Sequence, residues 1–168
     1  MNKAFTKETE VEEALSEFVD ALPPGMKNYM TPEGAERLKD ELTRLRDVER
    51  PELVAAKEDA PAKKRLRETD QRIQFIAQRL QITEVVDPRR QRNRDEVYFG
   101  ASVTYADVQG AEHTVRIVGV DEARTEQGEV SWVSPLARAL NGAGEGDVVK
   151  LFSPSGIEQL EILKIEYL

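Results

Sequence analysis

Between residues 30 and 87, apolar side chains recur every three or four positions, the spacing that keeps one face of a helix oily. Ala35, Leu38, Leu42, Leu45 and Val48 form one such stripe, and Leu66, Thr69, Ile73, Ile76, Leu80 and Thr83 form a second. Charged residues fill most of the positions between, so each helix has one face to bury and needs the other as its partner. The spacing predicts two long helices joined by a tight tip at residues 55–61, an antiparallel coiled-coil hairpin. Thr31 as N-cap, Pro32 at the first helical position and Glu33 in the first turn open the first arm. Pro51 falls where the stripe still reads as helix. An interior proline loses a backbone hydrogen bond, so a bend rather than an end is expected there. Pro61 is placed to open the second arm and Asp87-Pro88 to end it.

After the hairpin the period shortens to that of strands. Residues 97–105, 114–119, 130–133, 148–152 and 161–165 predict five strands, with a turn at Gln109-Gly110. Ser134 as N-cap and Pro135 at the first helical position predict one short helix through Leu140. Five strands and one helix make a small α+β domain. Gly142, Gly144, Gly146 and Asp147 read as a turn back into the sheet; they follow no strand and open no helix, which a phosphate-binding loop requires. Ahead of the hairpin, Thr9 and Glu12 have capping-box spacing, and Val11, Leu15, Phe18 and Leu22 share a helical face that Pro23-Pro24-Gly25 stops. The expected division is an acidic extension over 1–28, a hairpin over 29–88, a basic linker over 89–96 and a sheet domain over 97–168.

Composition narrows the chemistry. The chain has 168 residues; its lack of cysteine excludes disulfides and thiolate metal sites, and its one histidine, His113, leaves no credible zinc or nucleophilic constellation. No apolar run reaches membrane length and the N-terminus lacks a signal-peptide core, so a cytoplasmic protein is expected. A net charge of −8 argues against binding nucleic acid through a broad basic surface. Positive charge is local instead, in Lys63, Lys64, Arg65 and Arg67 beside the tip and in Arg89, Arg90, Arg92 and Arg94 after the hairpin. Such clusters suit docking on a charged surface, or are solvated residues balancing nearby acids.

Three stretches carry a family resemblance. They are Met30-Thr31-Pro32-Glu33-Gly34 through Glu49-Arg50-Pro51-Glu52; Lys63-Lys64-Arg65-Leu66-Arg67-Glu68; and Phe99-Gly100-Ala101, Arg116-Ile117-Val118-Gly119-Val120-Asp121-Glu122 and Ser134-Pro135-Leu136-Ala137-Arg138-Ala139-Leu140 taken together. In these the chain resembles the GreA/GreB transcript-cleavage factors of bacterial RNA polymerase, especially their GreB-like members, over about residues 30–168. The resemblance implies an FKBP-like C-terminal domain that docks on the rim of the polymerase secondary channel, and a hairpin that enters the channel. It also implies that tip acids help hold a catalytic Mg²⁺ in the polymerase's own active site, where two metals activate water and stabilise the leaving oxygen. Such a factor has no active site of its own, acts as a monomer, and meets nucleic acid only through the elongation complex. Asp121, Ser134, Pro135 and Arg138 are the implied docking residues. Lys63, Lys64, Arg65 and Arg67 are the implied contacts to the channel or to nucleic acid.

One departure bears on function. GreB-like sequences carry about a dozen more residues between the ERPE-like and KKRLRE-like motifs, including an acidic D-x-x-E-N-x-x-Y signature that this chain lacks. Split between two arms, that loss shortens the rod by roughly 9 Å at about 1.5 Å per helical residue. Metal ligands must approach to about 2 Å. The expectation is therefore a polymerase-binding regulator that does not stimulate RNA cleavage. The alternative is a cleavage factor whose relocated tip acids, Glu58 and Asp59, serve as Mg²⁺ ligands. A third reading, an FKBP-like prolyl isomerase, is disfavoured here by the absence of an evident aromatic pocket among Tyr98, Phe99, Tyr105, Trp132, Phe152 and Tyr167.

Overall fold

A computed structural model of the chain describes residues 22–56 and 58–168. The expected helix across Val11, Leu15 and Phe18 lies outside the described residues. Chain order begins with strand β1 (Asn28–Met30) and helix α1 (Pro32–Arg44), whose N-cap Thr31 accepts a hydrogen bond from Gly34 N at 3.1 Å as its sequence predicts. A wide π-helical turn over Leu45–Glu49 leads without a break into α2 (Arg50–Ala55). Helix α3 (Ala60–Gln81) returns antiparallel to complete a helical hairpin.

The wide turn is the physical answer to Pro51. Proline at that position cannot donate to Asp47 and would crowd its carbonyl. Arg50 N instead reaches back five residues to Leu45 O, and the chain stays helical. The looser turn also moves the apolar face. Val48, expected on the seam, is 52% exposed, whereas Glu49 is half-buried and Leu53 takes the next buried position. The seam core is Met30, Ala35, Leu38, Leu45 and Ile76, with Leu42, Ile73 and Leu80 packed against it. Ile76 is fully buried, and enclosing a side chain of that size contributes about 1.5–3 kcal/mol.

The second arm ends earlier than Asp87. After Gln81, strand β2 (Thr83–Val85) pairs in parallel with β1, so Thr83 belongs to a strand and not to the helical stripe. Three-residue strands drawn from the two ends of a hairpin give no local signal of this pairing. Its effect is to bind both arms together at their root.

The sheet domain holds β3 (Ser102–Ala106), β4 (Glu112–Val118), β5 (Glu129–Ser131), helix α4 (Pro135–Leu140), β6 (Val148–Ser153) and β7 (Gly156–Glu166). Strand order is β5-β4-β3-β7-β6; β4 and β5 run parallel and the other neighbours antiparallel. Val97, Val103, Ile117, Ala137, Leu140 and Ile162 are among its buried core residues, which places α4 against the sheet. Strand β3 begins at Ser102 and not at residue 97. Gly100 adopts a φ of +88°, open chiefly to glycine, and makes a turn against Pro88 before the strand can start. The protein is thus a mixed α+β fold: a helical hairpin mounted on a five-stranded sheet.

Candidate functional site

The tip is short and bare. Residues 56–59 separate α2 from α3, with Leu53 and Ala62 buried beneath them. Glu58 and Asp59 are both exposed. Asp59 occupies the N-cap position with an extended backbone, and its carbonyl accepts from Lys63 N at 3.0 Å, but its carboxylate accepts nothing from the helix. Among the described residues no ion pair joins Lys63 or Lys64 to these acids; Lys57 lies outside the described residues. Lys63, Lys64, Arg65 and Arg67 are all exposed on α3, with Arg65 3.4 Å from Glu49 and Lys64 3.9 Å from Glu68. Among the described residues, no three acidic or histidine side chains gather as a metal site.

Along the seam, charge holds the arms in register. Arg72 forks onto Glu41 at 2.7 and 3.0 Å, and Arg50 meets Asp70 at 2.7 Å. Glu49, brought to the seam by the wide turn, takes Arg44 from its own arm and Arg65 and Thr69 from the other. These pairs are solvent-exposed for the most part, so each adds little more than alignment.

At the root, the sequence Asp121-Glu122 clamps the hairpin from the sheet domain. Thr31 N donates to Glu122 Oε2 at 2.7 Å, and the Thr31 hydroxyl donates to Glu122 Oε1. The carboxylate therefore sits at the N-terminus of α1, where unpaired N–H groups favour negative charge. Glu122 is 6% exposed, and burial raises its pKa above the ordinary 4.5, opposed by the bonds from Thr31 and by Arg37. A Cβ on Gly34 would lie 2.5 Å from that carboxylate, and one on Gly119 would lie 2.2 Å from the Tyr29 carbonyl oxygen. At Gly119 the contact is with backbone, so only glycine allows that approach; at Gly34 a side chain would displace the Glu122 carboxylate from Thr31. Asp121 turns inward as well: it accepts from Asn28 Nδ2 at 3.0 Å and pairs with Arg79, the last-turn arginine of α3, at 3.4 Å. Its side chain is 6% exposed, so this implied docking residue serves the internal joint. Neither Glu122 nor Gly34 stood out in the sequence as a functional residue; the TPEG and VDE stretches hold them, but only the fold brings those stretches together.

The remaining implied docking residues share the end of the sheet domain carrying α4. Ser134 caps α4 by accepting from Ala137 N at 3.2 Å, while Pro135 and Arg138 are exposed. Trp132 and Leu136 pack against the core. One sequence inference fails. Tyr29, Tyr98, Phe99 and Trp132 do line a cleft of about 400 Å³, with Tyr29 5.2 Å from Trp132 and 5.8 Å from Phe99 between ring centres. Tyr29 lies on β1, outside the sheet domain, so counting aromatics within that domain alone missed the ring that completes the cleft.

Such a chain is an arm-bearing protein: its helical hairpin is joined to a sheet domain by the buried contacts of Thr31, Asn28 and Arg79 with Glu122 and Asp121. Residues 28–68 match the family model described as transcription elongation factor, N-terminal, and residues 91–167 match that of transcription elongation factor, GreA/GreB, C-term. The chain belongs to the GreA/GreB transcription elongation factor family, and its likeness is GreB-like. Transcription elongation factor GreB of Neisseria meningitidis serogroup A is 46% identical over 155 residues, covering 84% of this chain and 95% of that protein. Transcription elongation factor GreA of Alkalilimnicola ehrlichii is 40% identical over 152 residues, covering 82% and 96%. The solved GreA factor homolog 1 of Thermus thermophilus aligns over 84% of this chain and 99% of its own at 22% identity and a TM-score of 0.39.

Proposed function

We propose that this chain binds bacterial RNA polymerase as a cytoplasmic, monomeric, GreB-like elongation regulator and does not stimulate RNA cleavage. Its FKBP-like sheet domain, residues 97–168, docks on the rim of the secondary channel through Ser134, Pro135 and Arg138. The coiled-coil hairpin, residues 29–88, enters the channel, and Lys63, Lys64, Arg65 and Arg67 meet the channel wall. The observation that carries this reading is the short tip: only residues 56–59 separate the helices. The arms, Pro32–Ala55 and Ala60–Gln81, give a rod about 33–36 Å long at about 1.5 Å per residue. The alignment with the Neisseria relative points the same way. It spans 155 positions but covers only 84% of 168 residues here, as expected if the relative has a segment this chain lacks. A rod several ångströms short cannot bring carboxylates to the roughly 2 Å that Mg²⁺ coordination requires.

The test is a backtracked elongation complex incubated with the purified protein. The expected result is saturable polymerase binding with RNA cleavage at the intrinsic polymerase rate. Stimulated cleavage that vanishes in Asp59→Ala would establish the second reading, a cleavage factor whose Glu58 and Asp59 join the polymerase's Mg²⁺ site. That reading is favoured by the exposure of both acids, neither of which is in an ion pair among the described residues.

A further inference from the structure

The outer face of α4 and the edge strand β6 frame a groove of about 410 Å³ lined by Pro135, Arg138, Ala139, Lys150 and Phe152. Phe152 is 69% exposed, and its cross-strand neighbour Ile157 is 61% exposed. Isolated apolar side chains on a surface need no explanation. Here, however, an aromatic ring and an isoleucine stand side by side on the edge of a sheet, beside a proline and an alanine. An exposed apolar edge invites unwanted pairing unless it has a purpose. Lys150 on the same strand is the kind of charge that guards an edge, but two residues later Phe152 undoes that protection.

The charge of the groove is one-sided. Arg138 and Lys150 both line it, neither is in an ion pair among the described residues, and no acidic side chain lines it. A ring flanked by two unpaired cations is the composition of an interface centre, where aromatic residues and arginine carry a large share of binding energy. The matching partner surface is apolar and acidic.

We infer that Phe152 is the anchor of the polymerase-docking face, and that the groove between α4 and β6 receives an acidic segment of the polymerase bearing an apolar side chain. This extends the docking surface from the Ser134–Arg138 motif onto β6 and rests on the polymerase-binding reading above. Phe152 fills the partner's apolar contact, while Arg138 and Lys150 set orientation and salt dependence by pairing with its acids.

The experiment measures affinity of the full chain for core polymerase at two salt concentrations. Phe152→Ser is expected to weaken binding at least about tenfold, a loss common for a central aromatic anchor, with an unchanged melting temperature because the ring is exposed. Lys150→Glu is expected to weaken binding and to flatten its salt dependence. Val108→Ser, which removes another exposed apolar side chain from a turn outside the groove, is expected to bind as the parent does. Phe152→Ser and Lys150→Glu variants that bind as tightly as the parent would overturn the inference and leave the polymerase-binding reading standing. A parent chain that does not bind polymerase overturns both. A parent that sediments as a dimer, dissociated by Phe152→Ser, would assign the groove to a second copy and likewise refute the inference.

Discussion

The root and the tip of the hairpin are built on opposite principles. At the root, Asn28, Thr31 and Glu122 are buried, the Asp121 side chain is 6% exposed, and they are joined across segments more than ninety residues apart; Gly119 admits the Tyr29 backbone and Gly34 the Glu122 carboxylate. At the tip, Glu58 and Asp59 are exposed, and among the described residues neither has a capping bond or an ion pair. Buried polar groups lose free energy unless satisfied, so an elaborate set of them persists only where geometry must be fixed. The protein spends its constraint on how the arm is held and almost none on the end it presents.

The sharpest way to break this contrast is Gly119→Ala. The added methyl would meet the Tyr29 carbonyl at 2.2 Å, and a clash with backbone cannot be relieved by rotating a side chain. Overpacking of this kind costs about 3 kcal/mol, which for a chain of this size lowers the melting temperature by roughly 6–12 °C. A loss under about 2 °C would show that the joint is looser than described. A smaller effect is expected from Glu122→Gln. Burial raises the Glu122 pKa in the folded protein above 4.5, so between 4.5 and that raised value the folded state holds a proton the unfolded state has released. The parent's stability from this group therefore falls as pH rises through that window and is greatest below 4.5. The glutamine variant should lack that slope and lose about 1–3 kcal/mol from an imperfect match to Thr31; parallel melting curves across pH would contradict the assignment. The smallest effect belongs to the tip. The double variant Glu58→Ala, Asp59→Ala should melt within about 1 °C of the parent, since both side chains are exposed and neither bonds to another described residue. A larger drop would mean the tip is as constrained as the root.

The sequence was readable wherever local chemistry decides the outcome. Thr31-Pro32 and Ser134-Pro135 open helices as their cap and proline signals require, and both stripes produce a hairpin. It was unreadable where distant segments decide. Val48 leaves the seam because a proline three residues later loosens the turn around it. The pairing of Asn28 with Thr83 joins residues that carry no sign of each other, and it moves the end of the second arm back to Gln81. The candidate site divides in the same way. Lys63, Lys64, Arg65, Arg67, Pro135 and Arg138 were found on the surface, whereas Asp121 proved to be part of the mounting. Lys150 and Phe152 had no motif to mark them, and their relation to α4 exists only once β6 has been laid beside it.

The parallel strand pair at the root makes the hairpin a lever clamped at both handles. A sideways load on the tip cannot spread the arms where they meet the sheet and must be carried as torque by the Thr31–Glu122 and Arg79–Asp121 contacts. The same lever works in reverse. With an arm of about 35 Å, a tilt of about 5° at those contacts sweeps the tip through roughly 3 Å, so a sub-ångström change at two carboxylates buried in the joint is magnified into a displacement the size of a hydrogen bond at the far end.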